Sequence, residues 1–83
     1  MKNTYRIQVR AQCPVTPSEK DVYAFTIESE SVILAETIRE FFSRHAGEHE
    51  VFQEDLTQLA AVTLGARVTS VGQHRDVEIT CTC

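Results

Sequence analysis

Tyr5-Arg6-Ile7-Gln8-Val9-Arg10-Ala11-Gln12-Cys13 alternates without a break: every odd position is apolar and every even one is Arg or Gln. Successive side chains of a strand point to opposite faces, so this period of two reads as a half-buried β-strand whose odd face must be covered. Pro14 and Pro17 end it, because proline has no N–H for a ladder, and Thr16-Pro17-Ser18-Glu19-Lys20-Asp21 has the composition of an exposed turn. A second strand is expected from Val22 to about Glu28, with Tyr23, Phe25 and Ile27 on one face.

The period then changes. Leu34, Ile38, Phe41, Phe42 and His45 form the single apolar stripe of an amphipathic helix, capped at its start by Ser29 or Ser31 and ended by Gly47. Phe52, Leu56, Leu59 and Ala60 predict a second helix, with Glu50, Glu54 and Asp55 in a first turn where the helix dipole favours negative charge. Gly65 suits its C-terminal cap. Beyond it Ala66, Val68 and Ser70 alternate with Arg67, Thr69 and Val71. The stretch from Gly72 to Asp76, with His74 and Arg75, reads as a hairpin turn. The last strand sets Val77, Ile79, Cys81 and Cys83 against Asp76, Glu78, Thr80 and Thr82.

The fold class is therefore α+β in the order ββααββ, one domain over residues 1–83, with two helices on one face of a four-stranded antiparallel sheet. The other face carries Arg6, Gln8, Arg10, Gln12, Asp76, Glu78, Thr80 and Thr82, where Arg opposite Glu on adjacent strands would be a favourable pair. A polar sheet with open edges can line a ring of several copies, and a chain of 83 residues gains stability from such association, so a homo-oligomer is expected.

A net charge of -4 without a Lys/Arg cluster argues against nucleic acid and anionic membranes as partners. The opening residues run straight into the alternating pattern, with no apolar stretch of signal-peptide or membrane-span type, so the cytoplasm is the expected location. Three cysteines, an odd number, do not make the framework of a disulfide-stapled secreted domain and are read as free thiols.

Three groups of residues can carry chemistry. Cys13 lies where a strand meets a proline-containing turn, with Asp21 at the turn's far end; it is a nucleophile if its surroundings favour thiolate and a small buried hydrophobe if they do not. His45-Ala46-Gly47-Glu48-His49-Glu50, continued by Phe52-Gln53-Glu54-Asp55, offers a His-Glu pair that can exchange a proton and accept ring N–H donors, or simply solvate and cap a helix start. Cys81 and Cys83 with Cys13, His74 or His49 can be assembled into a metal site, but no second Cys or His pair stands at a ligand spacing, so no metal is expected.

In the order Cys13-Pro14-Val15-Thr16, Asp21, His45-Ala46-Gly47-Glu48-His49-Glu50, then a Gly72 turn into a strand ending at Cys81, the chain resembles the tunnelling-fold family. Within it the chain resembles the 7-cyano-7-deazaguanine reductases and the related archaeosine amidinotransferases. That resemblance implies a ββααββ fold whose sheets close a barrel across subunits and bind deazapurine, purine or pterin ligands at their interfaces. It implies Cys13 as the thiolate that adds to a nitrile carbon, Asp21 as the acid that protonates the nitrile nitrogen, and His49 as an aid to proton transfer. Glu50 would hold the heterocycle, or Glu54 if Phe52-Gln53-Glu54-Asp55 is the matching segment. Where the reductases carry a Glu-x-Lys-Ser run for nicotinamide, this chain has Glu36-Thr37-Ile38-Arg39, so no NADPH site is carried over and the cofactor stays unassigned. The alternatives to an enzyme are a homo-oligomeric module that kept the fold without the chemistry and an adaptor that uses the polar sheet face.

Overall fold

A computed structural model describes residues 1–16 and 20–83. The chain runs β1 (Asn3–Gln12), β2 (Lys20–Ser29), α1 (Ala35–His45), α2 (Gln53–Leu64), β3 (Arg67–His74) and β4 (Val77–Thr82). The strands form one antiparallel sheet in the order β1-β2-β3-β4, giving the expected α+β, ββααββ architecture. Part of the expected turn, Pro17 to Glu19, lies outside the described residues.

The register lines the apolar positions into rows that cross the sheet. Ile7, Phe25, Ser70 and Cys81 share one row, and Val9, Tyr23, Gly72 and Ile79 the next. Both helices cover this face: Ile38, Phe41 and Phe42 of α1 and Leu56 and Ala60 of α2 join Val9, Ala11, Tyr23, Phe25, Ile27 and Val68 in one core. The Phe42 ring sits 4.7 Å from that of Phe25, and Phe41 meets Phe42 edge-on at 5.0 Å. Each fully buried Phe, Ile or Leu contributes roughly 1.5–3 kcal/mol. On the opposite face Arg6, Gln8, Arg10, Glu78, Thr80 and Thr82 meet solvent.

Several local expectations change. Neither Ser29 nor Ser31 caps α1: β2 continues through Ser29, whose hydroxyl accepts the Ser31 N–H at 3.0 Å, and the helix starts after Leu34 without a side-chain cap. The Ile33 N–H donates instead to the Tyr5 hydroxyl at 3.0 Å, which ties the connection to β1. Leu34 and Leu59 are 64% and 39% exposed, so the buried stripes are narrower than the spacing implied. Glu50 precedes α2, while Glu54 and Asp55 occupy its first turn, and Gly65 caps its end at φ 61°. The expected Arg–Glu pairing of the first and last strands does not form within the chain, because β1 and β4 are opposite edges of the sheet; Glu28 instead lies in register with Arg67 and pairs with Lys2.

Two further departures shape the site. Gly72 is not in a turn. β3 continues through it to His74, which pairs with Val77, so the hairpin loop is only Arg75 and Asp76, with Arg75 at φ 59°. The stretch after α1 runs beside the end of β1: the Gly47 N–H donates to the Arg10 carbonyl at 2.6 Å, Gln12 N–H to the His49 carbonyl at 3.1 Å, and Val51 N–H to the Gln12 carbonyl at 3.1 Å. That parallel ladder carries the chain to the start of α2 beside Cys13. Among the described residues no helix is long and apolar enough to cross a membrane.

Candidate functional site

Strand parity alone brings three reactive side chains together. Odd positions of β1 and β2 and even positions of β3 face the helices. Tyr23 pairs with Gly72, so two residues further along each strand Asp21 lies beside His74, and Asp21 also pairs with Ala11, one inward step before Cys13. A ligand atom from each of Cys13, Asp21 and His74 lies within 4.8 Å of the other two.

These residues stand at the end of the sheet where helical cover runs out, and they line a cavity of about 260 Å³. That is near the lower end of small-molecule sites, roughly 300–1,000 Å³. Its walls come from the end of β1 with Cys13 and Pro14, from Asp21 and Tyr23 at the start of β2, from Phe52, Gln53 and Glu54 at the start of α2, and from Ile79. The Cys13 side is buried, at 6% exposure, while Asp21 and His74 are half-buried. The mixture of apolar walls and a few convergent polar groups suits a flat heterocycle with polar edges.

Asp21 is held by its neighbour: the Tyr23 hydroxyl donates to its Oδ2 at 3.2 Å. Burial pushes the Tyr23 phenol above its ordinary value of 10.0, and the charge of Asp21 and the hydrogen bond to it push the same way. The phenol therefore remains a donor at neutral pH. A pKa raised by folding leaves stability intact below the unfolded value and removes it as pH climbs from there toward the folded value. The thermal midpoint should accordingly fall as pH rises above about 10, and Tyr23→Phe should flatten that fall. Identical slopes in the two proteins would show that another group titrates.

The start of α2 is fixed by a closed circuit of buried hydrogen bonds. The Gln53 amide Nε2 donates to Ser70 Oγ at 3.0 Å and to the Ile79 carbonyl at 3.0 Å. Thr57 Oγ1 donates to the Gln53 carbonyl at 2.7 Å, which leaves Thr57 to accept from the Ser70 hydroxyl at 2.6 Å. No buried side-chain nitrogen or oxygen among the described residues lacks a partner. This anchoring sets Glu54, the next residue, at the cavity mouth. The Glu54 carboxylate also acts on Cys81, whose thiol is raised first by burial and then by that charge.

Of the site residues expected from sequence, Cys13, Asp21 and Glu54 line this cavity, whereas His49 and Glu50 are exposed and do not. The His49 backbone serves the ladder with β1, and it is Glu48 that is engaged there, bonded to Lys20 at 2.6 Å. Lys20 holds the Glu48 carboxyl below its usual value, by hydrogen bond and then by charge. Cys81 lies in the Ser70 row, two rows from His74, so the C-x-C pair does not reach Cys13. His74 was missed as a cavity residue because Gly72 was read as the turn. The alternation Val68, Ser70, Gly72, His74 would have placed it on the inner face.

No protein-family model and no curated protein matches the chain. Among solved structures it matches the crystal structure of the archaeosine synthase QueF-Like in the apo form, with a TM-score of 0.82 at 17% identity, over 99% of this chain and 90% of that one. At that identity the likeness speaks to architecture, and with the ββααββ order and the antiparallel sheet it establishes that this chain has the tunnelling fold.

Proposed function

We propose that the cavity binds a deazapurine, purine or pterin-like heterocycle and that Cys13 adds to a nitrile borne by that ligand. The convergence of Cys13, Asp21 and Glu54 on one cavity, from three separate segments, carries this reading. Glu54 accepts N–H donors from the ring edge, as a carboxylate at an open helix start is free to do. The Cys13 sulfur bonds to the nitrile carbon, one carbon–nitrogen π bond breaks, and the nitrogen takes up a proton from Asp21. That proton is the thiol's own: His74, within 4.8 Å of both groups, takes it from the sulfur and passes it to the Asp21 carboxylate, which hands it on, so the product is a neutral thioimide and no electrons are transferred. The step needs no nicotinamide, consistent with Glu36-Thr37-Ile38-Arg39 in place of a binding run. The solved structure of like fold is an archaeosine synthase QueF-Like, and nitrile addition is the chemistry that the resemblance of Cys13 and Asp21 implies for the present chain.

Incubation with 7-cyano-7-deazaguanine should yield an adduct of the full ligand mass by intact mass spectrometry. Cys13→Ala should abolish it, and Asp21→Asn should slow it by about 100-fold or more, the scale of a lost general acid. Wild-type protein without an adduct, or an adduct retained in Cys13→Ala, would end the covalent reading.

A second reading, a homo-oligomeric module without catalysis, is favoured by one observation: among the described residues β4 and the first part of β1, up to Val9, have an open edge that can extend the sheet into another copy. Light scattering showing a closed assembly, together with no thermal shift from any purine or pterin, would support it over the first. Either reading keeps the protein in the cytoplasm and away from nucleic acid and membranes.

A further inference from the structure

We infer that the inner-face cluster of Cys13, Asp21 and His74 is a binding site for a zinc-type divalent ion, with three protein ligands and a fourth position open to the cavity. The sequence expectation was no metal, because no second Cys or His pair stands at a ligand spacing; the structure instead draws a ligand set from three separate segments, with His74 in β3 beside Asp21. The inference stands on this geometry and is independent of nitrile chemistry.

Donor type selects the ion. One thiolate, one imidazole and one carboxylate form a mixed soft and borderline set that suits Zn²⁺ or Co²⁺ and disfavours Mg²⁺ and Ca²⁺, which take oxygen alone. A tetrahedral zinc with S at about 2.3 Å and N or O at about 2.0 Å separates its ligand atoms by roughly 3.3–3.5 Å. The three atoms here lie within 4.8 Å of one another, so each side chain closes by about an ångström or less on binding, a rotamer adjustment that leaves the strands in place. The cluster also has an outer support. The Tyr23 hydroxyl, donating to Asp21 Oδ2, leaves the other carboxylate oxygen for the ion and fixes the plane of the group. Three ligands on a cavity wall, with space on the fourth side, is the arrangement of zinc sites that accept a water or a substrate atom.

Binding exchanges the Cys13 S–H bond for an S–Zn bond and releases one proton to solvent. It occupies the sulfur that would attack a nitrile. On the nitrile reading, the metal-loaded and thioimide-forming states are therefore mutually exclusive.

Chelator-treated protein titrated with Co²⁺ should develop thiolate-to-cobalt charge transfer and the intense visible bands of tetrahedral cobalt, saturating at one ion per chain and displaced by Zn²⁺. Cys13→Ser should remove the charge-transfer band, and His74→Gln and Asp21→Asn should each weaken binding by at least about 10-fold. Tyr23→Phe should weaken it by about 10-fold while leaving the spectrum tetrahedral, the signature of a supporting residue. The double variant Cys81→Ser/Cys83→Ser should bind as wild type does. Absence of the spectrum in wild type, or its survival in Cys13→Ser and loss in the Cys81/Cys83 variant, would overturn the assignment. Since cobalt binding is read without any nitrile, failure of the adduct experiment leaves this result intact, and the reverse holds as well.

Discussion

Gly72→Ala should lower the thermal midpoint by about 10–20 °C, a large effect for one methyl group on a strand. A Cβ at this position would stand 2.3 Å from Tyr23 Cδ1, 2.7 Å from Cε1 and 3.0 Å from Gln53 Oε1. Ordinary contacts do not approach so closely, so the Tyr23 ring must move. It is buried, at 5% exposure, and stands edge-on to Phe25 with ring centroids 6.4 Å apart, so every displacement disturbs the core. Overpacking of this kind costs about 1–3 kcal/mol, and the lost Tyr23–Asp21 hydrogen bond adds about 1 kcal/mol. For a domain of this size each kcal/mol moves the midpoint by about 4–8 °C. Alanine otherwise suits a strand better than glycine, so the opposing prediction is a small gain in stability. Thermal unfolding decides between them, and a midpoint that stays level or rises would show that the ring adapts freely. In a Tyr23→Ala background the cost of Gly72→Ala should drop below about 1 kcal/mol, because the clash partner has gone.

The same glycine shows where sequence reading succeeded and where it stopped. Period-two patterning carried β1 and β2 because their inward positions from Tyr5 to Ala11 and from Tyr23 to Ile27 are all apolar, and burial of one face fixes register strongly. The helical pair was legible from Ile38, Phe41, Phe42, Leu56 and Ala60, all of which are buried. β3 broke the pattern, since its inward residues after Val68 are Ser70, Gly72 and His74, none of them a large apolar side chain. They are small or polar for physical reasons: Ser70 completes a hydrogen-bond circuit, Gly72 makes room for Tyr23, and His74 faces a cavity. A strand that carries a site thus loses the hydrophobic signal by which strands are recognised, and glycine followed by charged residues looks like a turn. The true turn, Arg75-Asp76, places arginine at positive φ, where glycine or asparagine is the usual occupant, so it gave no signal of its own.

The start of the first helix failed for a related reason. Ser29 and Ser31 have the chemistry of a cap, but Ser29 spends its hydroxyl on the exit from β2. The choice between Glu50 and Glu54 could not be made from spacing, because both stand among acidic residues near a helix start. Three-dimensional placement separates them: the ladder with β1 holds residues 47–51 as an edge, and only from Val51 onward does the chain line the cavity. The tunnelling-fold resemblance set a histidine beside the anchoring glutamate, but Gln53 occupies that place and its amide is bound to the sheet. An imidazole reaches the cavity all the same, from His74 on β3. The resemblance supplied Cys13, Asp21, His49 and the two glutamates, and the fold placed His74 rather than His49 in the cavity.

Gln53→Leu should cost about 1–3 kcal/mol. Leucine fills nearly the same space, so the effect isolates the amide. Its loss takes a second donor from the Ile79 and Ser70 carbonyls, which sit in the β3–β4 ladder, and the donor from one lone pair of Ser70 Oγ. A lost hydrogen bond costs about 0.5–1.5 kcal/mol, and three bonds made by one amide do not add fully. Urea unfolding should show a lower midpoint at unchanged slope, since the surface exposed on unfolding is nearly the same. Pairing Gln53→Leu with Ser70→Ala should cost less than the two single changes summed, because the second removes an acceptor that the first had stranded. Strict additivity would mean that the circuit does not act as a unit. The change also carries into the site. Glu54 keeps its position only while the first turn of α2 is tied to β3 and β4, so a cavity ligand should bind Gln53→Leu at least about 10-fold more weakly even where the protein is fully folded. Undiminished binding in the folded variant would separate Glu54 from this anchor and leave helix packing alone to hold it.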